Sequence, residues 1–95
     1  MRALRETRSF ARWFDNLRDR QARSRILVRL QRLSHGNPGD VQPVGEGVSE
    51  LRISYGPGYR LYFTERDDAL IILVGGDKRT QQRDIREAIL LAREL

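Results

Sequence analysis

The stretch that decides the fold is Glu50–Asp77, ELRISYGPGYRLYFTERDDALIILVGGD. It predicts three consecutive antiparallel strands, over Glu50–Tyr55, Tyr59–Thr64 and Ala69–Val74. Gly56-Pro57-Gly58 predicts the first turn, because glycine tolerates positive φ and proline fixes φ at about −65°. The acidic run Glu65–Asp68 predicts the second turn.

The first turn also predicts a register for its two strands. If the glycine and proline residues form the whole loop, Tyr55 faces Tyr59, and Ile53 and Leu51 pair with Leu61 and Phe63 on an apolar face. The opposite, polar face then carries Arg52, Ser54, Arg60 and Tyr62. A slip by one residue would mix the two faces, so the alternation favours this register.

Size and charge narrow the possibilities further. The 95 residues predict one domain, residues 1–95, with a modest core. Eighteen Lys+Arg against thirteen Asp+Glu give a net charge of +5, and Lys78 is the only lysine. Arginine binds phosphate through a planar fork, so this balance indicates nucleic acid or an acidic protein as partner, although a solvated arginine-rich surface has the same composition. With no cysteine and no apolar run of transmembrane length, we expect no disulfide, no membrane association and a cytoplasmic protein.

Helices are predicted on both sides of this segment in the chain. Ser9 is expected to cap a first helix with an apolar stripe, and the corner Arg18–Arg20 leads to a second helix. The stripes are Phe10, Trp13, Phe14 and Leu17 in the first helix, and Ala22, Ile26, Leu30 and Leu33, supported by Leu27, in the second. Thr80 is expected to cap a last helix, Gln81–Leu95, after Gly75-Gly76 close the third strand.

Two further strands complete the expected architecture. Met1–Thr7 predicts a short edge strand, and Val41–Val44 predicts another, because Pro43 cannot donate to a central ladder. The order β–α–α–β–β–β–β–α predicts an α+β fold in which a helical hairpin and a C-terminal helix pack on one face of a mostly antiparallel sheet of four or five strands.

The chemistry expected on the polar face is phosphate chemistry. One histidine and no cysteine exclude the usual zinc and Cys-His sites, and we expect neither metal nor cofactor. Arginines on an exposed face could hold an RNA phosphate while the neighbouring 2′-hydroxyl attacks it, which requires no metal. No carboxylate or histidine is evident there as a base, which predicts a slow enzyme that depends on an organising partner such as the ribosome.

Two long motifs resemble a known family. Residues 39–63 (GDVQPVGEGVSELRISYGPGYRLYF) and 70–85 (LIILVGGDKRTQQRDI) are similar to addiction-module killer proteins, toxins of the RelE/ParE superfamily near HigB. The segments FARW at residues 10–13, DRQAR at 19–23 and RLQRL at 29–33 fit the same pattern. The resemblance implies the toxin of a type II toxin–antitoxin module: a ribosome-dependent mRNA endonuclease that a cognate antitoxin neutralises in a hetero-oligomer.

The resemblance also implies roles for individual residues. Arg60 matches the arginine that contacts the scissile phosphate, Arg52 stands in for the catalytic lysines, and Arg79 matches a second phosphate-binding arginine. Tyr62 is the remaining catalytic candidate, with Ser54, Lys78 and Arg83 as substrate-binding residues. The tyrosine that RelE-type toxins carry in the last helix aligns with Ile85, and the HigB histidines have no equivalents.

Two alternatives stay open from the sequence. A ParE-like inhibitor of DNA gyrase would share the fold and explain the missing tyrosine without nuclease chemistry. A decayed toxin that only binds an antitoxin would also fit.

Overall fold

The computed structural model describes residues 1–95 and contains five strands, three α-helices and one turn of 3₁₀-helix. The strands are β1 (Ala3–Glu6), β2 (Val41–Gly45), β3 (Val48–Ile53), β4 (Tyr59–Arg66) and β5 (Ala69–Asp77). The helices are α1 (Arg8–Asp15), α2 (Arg20–Ser34) and α3 (Gln81–Arg93), and the 3₁₀ turn Lys78–Thr80 joins β5 to α3. The predicted order of elements and the α+β class are confirmed.

The five strands form one sheet in the order β1-β5-β4-β3-β2. Strands β2 to β5 are antiparallel to their neighbours, and only β1 and β5 run parallel. The hairpin segment is therefore the centre of the sheet, and β1 and β2 are its edges, as the sequence indicates.

Helices cover both faces of the sheet, so the prediction that they share one face is wrong. On one face, Phe10 of α1 and Ile26, Leu30 and Leu33 of α2 pack against alternate residues of β3, β4 and β5. On the other face, Ala88 and Ala92 of α3 pack against Tyr62 and Val74. The polar face predicted to be open is covered by α3 over much of its area.

Gly75 and Gly76 allow the helices on both faces to pack closely against the sheet. The prediction that they end the strand is wrong, since β5 continues through them to Asp77. A Cβ on Gly75 would lie 2.2 Å from the Trp13 ring of α1, and one on Gly76 would lie 1.9 Å from Asp84 Oδ2 of α3. Because neighbouring residues of a strand face opposite ways, each glycine admits a helix on its own side.

The β3–β4 register differs by two residues from the predicted one. Ile53 pairs with Tyr59, Leu51 with Leu61, and Arg52 with Arg60. The loop thus comprises five residues, Ser54 to Gly58, rather than the glycine-proline-glycine triplet alone. A shift by two keeps the side chains within the two strands on their predicted faces but changes their partners across the strands, because side chains alternate with a period of two.

The second turn is also tighter than predicted. Strand β4 extends to Arg66, and Asp67-Asp68 alone form the turn, with φ of 51° and 66°. Two consecutive residues with positive φ are typical of the type I′ turn, whose twist matches that of the two strands flanking a two-residue loop.

Three local predictions about the helices are corrected. Thr7, not Ser9, caps α1, since its hydroxyl accepts a hydrogen bond from the Phe10 amide. Leu27 is 55% exposed and lies outside the core, whereas Ala22, Ile26, Leu30 and Leu33 are buried as expected. Thr80 precedes α3 but makes no capping bond to it; its hydroxyl bonds to Asp84 instead.

None of the helices combines the length and apolar character needed to cross a membrane.

Candidate active site

A buried carboxylate, Glu50, organises the polar side chains between the sheet and α3. Its side chain is 1% exposed and accepts four hydrogen bonds. Oε1 accepts from Arg52 Nε at 2.8 Å and from Arg60 Nη1 at 3.2 Å. Oε2 accepts from the Tyr62 hydroxyl at 3.1 Å and from Gln81 Nε2 at 2.8 Å. We call these five residues the Glu50 cluster.

The observed register assembles this cluster. Glu50 pairs with Tyr62 across β3 and β4, and Arg52 pairs with Arg60. Residues 50 and 52 share a face of β3, as do residues 60 and 62 of β4, so two strands place four polar side chains together. The fifth, Gln81, is the first residue of α3 and attaches the start of that helix to the cluster.

Glu50 stays ionised in this environment. Burial acts to raise the pKa of its carboxyl, but hydrogen bonds from Arg52 and Gln81, the charge of Arg60 and the Tyr62 hydroxyl together lower that pKa below its usual value. A buried carboxylate next to two guanidiniums leaves the cluster with one excess positive charge. The site is therefore suited to an anion.

The two arginines differ in how much of each remains accessible. The Arg52 side chain is 36% exposed, and its Nη2 also reaches Gln42 Oε1 at 3.3 Å. The Arg60 side chain is 13% exposed, and its Nε is buried without a hydrogen-bond partner. An unpaired buried N–H is uncommon and unfavourable. Because this Nε is buried, a ligand can reach Arg60 only through the exposed fraction of its side chain.

Tyr62 is fully buried, so the expectation that it lies on an exposed face is wrong. Burial, the charge of Glu50 and the hydrogen bond to Glu50 raise the pKa of its phenol well above the usual value. The hydroxyl is thus held protonated as a donor to Glu50. In this position it orients the carboxylate.

The predicted cations beyond β5 lie at the rim of the site. Lys78 and Arg79 are in the 3₁₀ turn and Arg83 in the first turn of α3, and all three are exposed. Arg79 donates to Asp77 Oδ2 at 3.2 Å, and Asp77 pairs across the strands with Tyr59, beside Arg60. The fold therefore brings Lys78 and Arg79 to the end of the sheet that carries Arg60.

The structure places Ser54 apart from the cluster. It follows the last residue of β3 and lines a cleft with residues of α2, on the other side of the sheet. The expectation that it extends the polar face of β3 is wrong, because the strand ends at Ile53 and the chain turns there.

Sequence reasoning missed two members of the cluster. Glu50 and Arg52 are two residues apart on β3 and therefore share a face, so alternation alone could have placed a carboxylate on the polar face. Gln81 could not be found this way, since its contact with Glu50 depends on how α3 docks. The residue aligned with the RelE-type tyrosine, Ile85, is half-buried and packs against the apolar cluster under α3.

Comparison with known proteins identifies the family. The family described as "Phage derived protein Gp49-like (DUF891)" matches residues 12–95. The chain belongs to this Gp49-like family. A Haemophilus influenzae relative, itself an uncharacterized protein, is 44% identical over 93 residues, covering 97% of this chain and 94% of its own.

A solved structure shares the fold of this Gp49-like chain. The solution structure of the conserved hypothetical protein HP0894 from Helicobacter pylori aligns with a TM-score of 0.56 and 22% identity, over 83% of this chain and 97% of that one. The family supports the broad class of toxin–antitoxin toxins, whereas the solved structure shows the shared fold alone. They give no support for the HigB type in particular.

Proposed function

We propose that this Gp49-like protein is the toxin of a toxin–antitoxin module and acts as a metal-independent endoribonuclease on mRNA at the ribosome. The observation that carries the proposal is the pair Arg52 and Arg60, fixed on one buried carboxylate while each guanidinium side chain stays partly exposed. Preorganised guanidiniums stabilise a phosphorus centre that gains negative charge, and they need no reorganisation during the reaction.

In the proposed reaction the 2′-oxygen of a ribose attacks the adjacent phosphorus while its proton passes to a base. The bond from phosphorus to the 5′-oxygen breaks, and the leaving oxygen takes up a proton. The products are a 2′,3′-cyclic phosphate and a 5′-hydroxyl. Arg52 and Arg60 bind the phosphate oxygens, and Arg79, Lys78 and Arg83 hold neighbouring phosphates along the rim.

Within this mechanism Glu50 and Tyr62 are positioning residues. Both oxygens of Glu50 are occupied and its pKa is lowered, which makes it a poor proton acceptor. Tyr62 is buried and donates to Glu50. Since neither transfers the proton, we propose that groups of the ribosome or of the RNA supply the acid and base, which accounts for ribosome dependence.

The proposed partners follow from the same function. A cognate antitoxin neutralises the toxin in a hetero-oligomer, and the basic surface suits an acidic segment of such a partner. The absence of a suitably placed proton acceptor also favours one rival, the ParE-like inhibition of DNA gyrase, which needs no nuclease site.

The deciding experiment maps mRNA ends by primer extension in a reconstituted translation reaction. Wild type, Arg60→Ala and the control Arg5→Ala are compared, since Arg5 lies on the opposite edge strand β1. We expect cuts at codons in the decoding site with wild type and Arg5→Ala, none with Arg60→Ala, and none without ribosomes. Intact mRNA with folded wild type contradicts the proposal, and blocked supercoiling by gyrase in that case supports the rival.

A further inference from the structure

A second cationic feature lies on the other side of the sheet from the Glu50 cluster. It is a cleft of about 370 Å³ between α2 and the end of β3. Its lining combines three arginines, two serines and two aliphatic residues and contains no carboxylate: Ser24, Arg25, Val28, Arg29, Arg32, Ile53 and Ser54. Nothing in the proposed mechanism uses this cleft.

The charge in the cleft is not balanced by its own helix. Residues 20 to 39 contain five arginines and no Asp or Glu. Arg25, Arg29 and Arg32 are four and three residues apart, so they lie along one side of α2. Like charges at this spacing repel one another, and an anion bound in the cleft would relieve that repulsion.

Part of the cleft is already fixed in place. Arg29 donates through Nη1 to the Arg52 carbonyl at 2.6 Å and through Nη2 to the Pro38 carbonyl at 3.1 Å. The Arg25 guanidinium lies 4.6 Å from the centroid of the Tyr55 ring. Rigid guanidiniums lose little entropy when a ligand binds, so the cleft is preorganised for one.

The shape and chemistry match a nucleotide. Val28, which is 44% exposed, provides most of the apolar surface because Ile53 is only 5% exposed, and guanidiniums and hydroxyls complete the lining. Unstacked RNA bases bind against apolar side chains and arginine planes, and RNA phosphates bind arginine forks and hydroxyl donors. An acidic peptide would use the same cations through its carboxylates, so polyglutamate is the matched competitor in the test.

We propose that this cleft binds one nucleotide of a single RNA strand, with the base against Val28 and the phosphate on Arg32, Arg25 and Ser54. The inference rests on the proposed function and adds a second RNA contact to it. Arg29 connects the two sites through the Arg52 backbone, so a strand that passes round the end of the sheet contacts both. The cleft sets which nucleotide beside the scissile phosphate is held.

The test measures binding of a short single-stranded RNA whose 2′-O-methyl groups prevent cleavage, by fluorescence anisotropy at several salt concentrations. Wild type is compared with Arg32→Gln, Ser54→Ala and the matched control Arg5→Gln, which removes the same charge on the other flank of α2. We expect Arg32→Gln to weaken binding about five- to tenfold and to reduce the salt slope by about 0.7, the value for one phosphate contact on a single strand. Ser54→Ala should weaken binding without changing the slope, and Arg5→Gln should change neither.

Amide and arginine-side-chain NMR spectra locate the contact. RNA should shift the resonances of Val28, Arg32 and Ser54, and polyglutamate of equal charge should not compete for them. Equal effects of Arg32→Gln and Arg5→Gln overturn the inference, and so does polyglutamate that displaces the RNA from these residues, which would mark an acidic protein site. If either outcome occurs while the wild type still cleaves mRNA on ribosomes, the RNA site in the cleft is ruled out and the proposed function stands. The proposed function is tested separately by the loss of cleavage in Arg60→Ala.

Discussion

The Tyr62 hydroxyl donates a hydrogen bond of 3.1 Å to Glu50 Oε2, and both side chains are buried under α3. One face of the central hairpin therefore carries an ionised carboxylate with a full set of donors. The contribution of the Glu50 cluster to stability, the pH dependence of that contribution and the roles of its arginines can each be tested.

Replacing the carboxylate tests the cluster as a unit. Glu50→Ala leaves Arg60, Tyr62 and Gln81 without their acceptor, and breaking a buried ion pair by removing one partner costs about 3–5 kcal/mol. We expect a loss of that size in the free energy of unfolding, measured by urea denaturation. Glu50→Gln keeps the shape and one acceptor oxygen, so its loss should be clearly smaller; equal losses would show that packing rather than the charge matters.

The hydroxyl alone can be removed by Tyr62→Phe. The ring keeps its packing under α3 and Glu50 keeps three donors, so we expect a loss of about 1 kcal/mol in unfolding free energy. Cleavage of mRNA should fall modestly, because Tyr62 acts through Glu50. Tyr55→Phe is the matched control, since its hydroxyl donates to the exposed Asp19 at 2.8 Å. Complete loss of cleavage in a folded Tyr62→Phe protein would instead place the phenol in the chemistry.

The lowered pKa of Glu50 predicts a specific pH dependence of stability. The folded state holds the carboxylate ionised more strongly than the unfolded state, where its pKa is about 4.3. Its stabilisation is therefore complete above that pKa and is lost as the pH falls through the lower, folded pKa.

Comparing wild type with Glu50→Gln isolates this contribution. Asp19, Glu46 and Asp77 also have lowered pKa values and are common to both proteins, so they cancel in the difference. The stability gap, measured by denaturation at pH values from about 7 down to about 3, should narrow toward acid. A constant gap would show that folding leaves the pKa of Glu50 unchanged, and a gap that widens would show that folding raises it.

Arg60 can act through its charge or through the planar geometry of its guanidinium, and a lysine substitution separates the two. Arg60→Lys keeps the charge but loses the fork that binds Glu50 and phosphate together, so we expect cleavage on ribosomes to fall at least about tenfold. Arg83→Lys, at the exposed rim, should keep nearly full activity. Rate constants for mRNA cleavage measure both. Similar rates for the two variants would remove Arg60 from the site.

The tight approach of α3 to the sheet predicts that Gly76→Ala is destabilising. Its Cβ would lie within 1.9 Å of Asp84 and 2.9 Å of Thr80, and overpacking of this kind costs about 1–3 kcal/mol or more. Gly36→Ala has open space around it and only the strain of φ +85°, so it should lose about 1 kcal/mol. Thermal or urea unfolding compares them, and a smaller loss for Gly76→Ala would contradict the observed docking of α3.

Local sequence patterns determined most of the framework. Strand alternation sorted Leu51, Ile53, Leu61 and Arg52 onto their correct faces, and turn residues located the β3–β4 and β4–β5 hairpins, because both effects act between residues that are close in the chain. The buried stripe of α2 and the edge position of the strand that contains Pro43 followed in the same way. The excess of basic over acidic residues indicates an anionic partner through composition alone.

Only the tertiary structure decided how these parts meet. The two-residue change in register, which set Glu50 opposite Tyr62, depends on the five-residue loop and leaves the pattern of faces unaltered, so alternation could not detect it. The docking of α3 on the second face brought Gln81 to Glu50 and buried Tyr62. Contacts between residues 31 positions apart carry no local signature, and for that reason the sequence revealed the arginines of the site but not Gln81, which attaches α3 to their carboxylate.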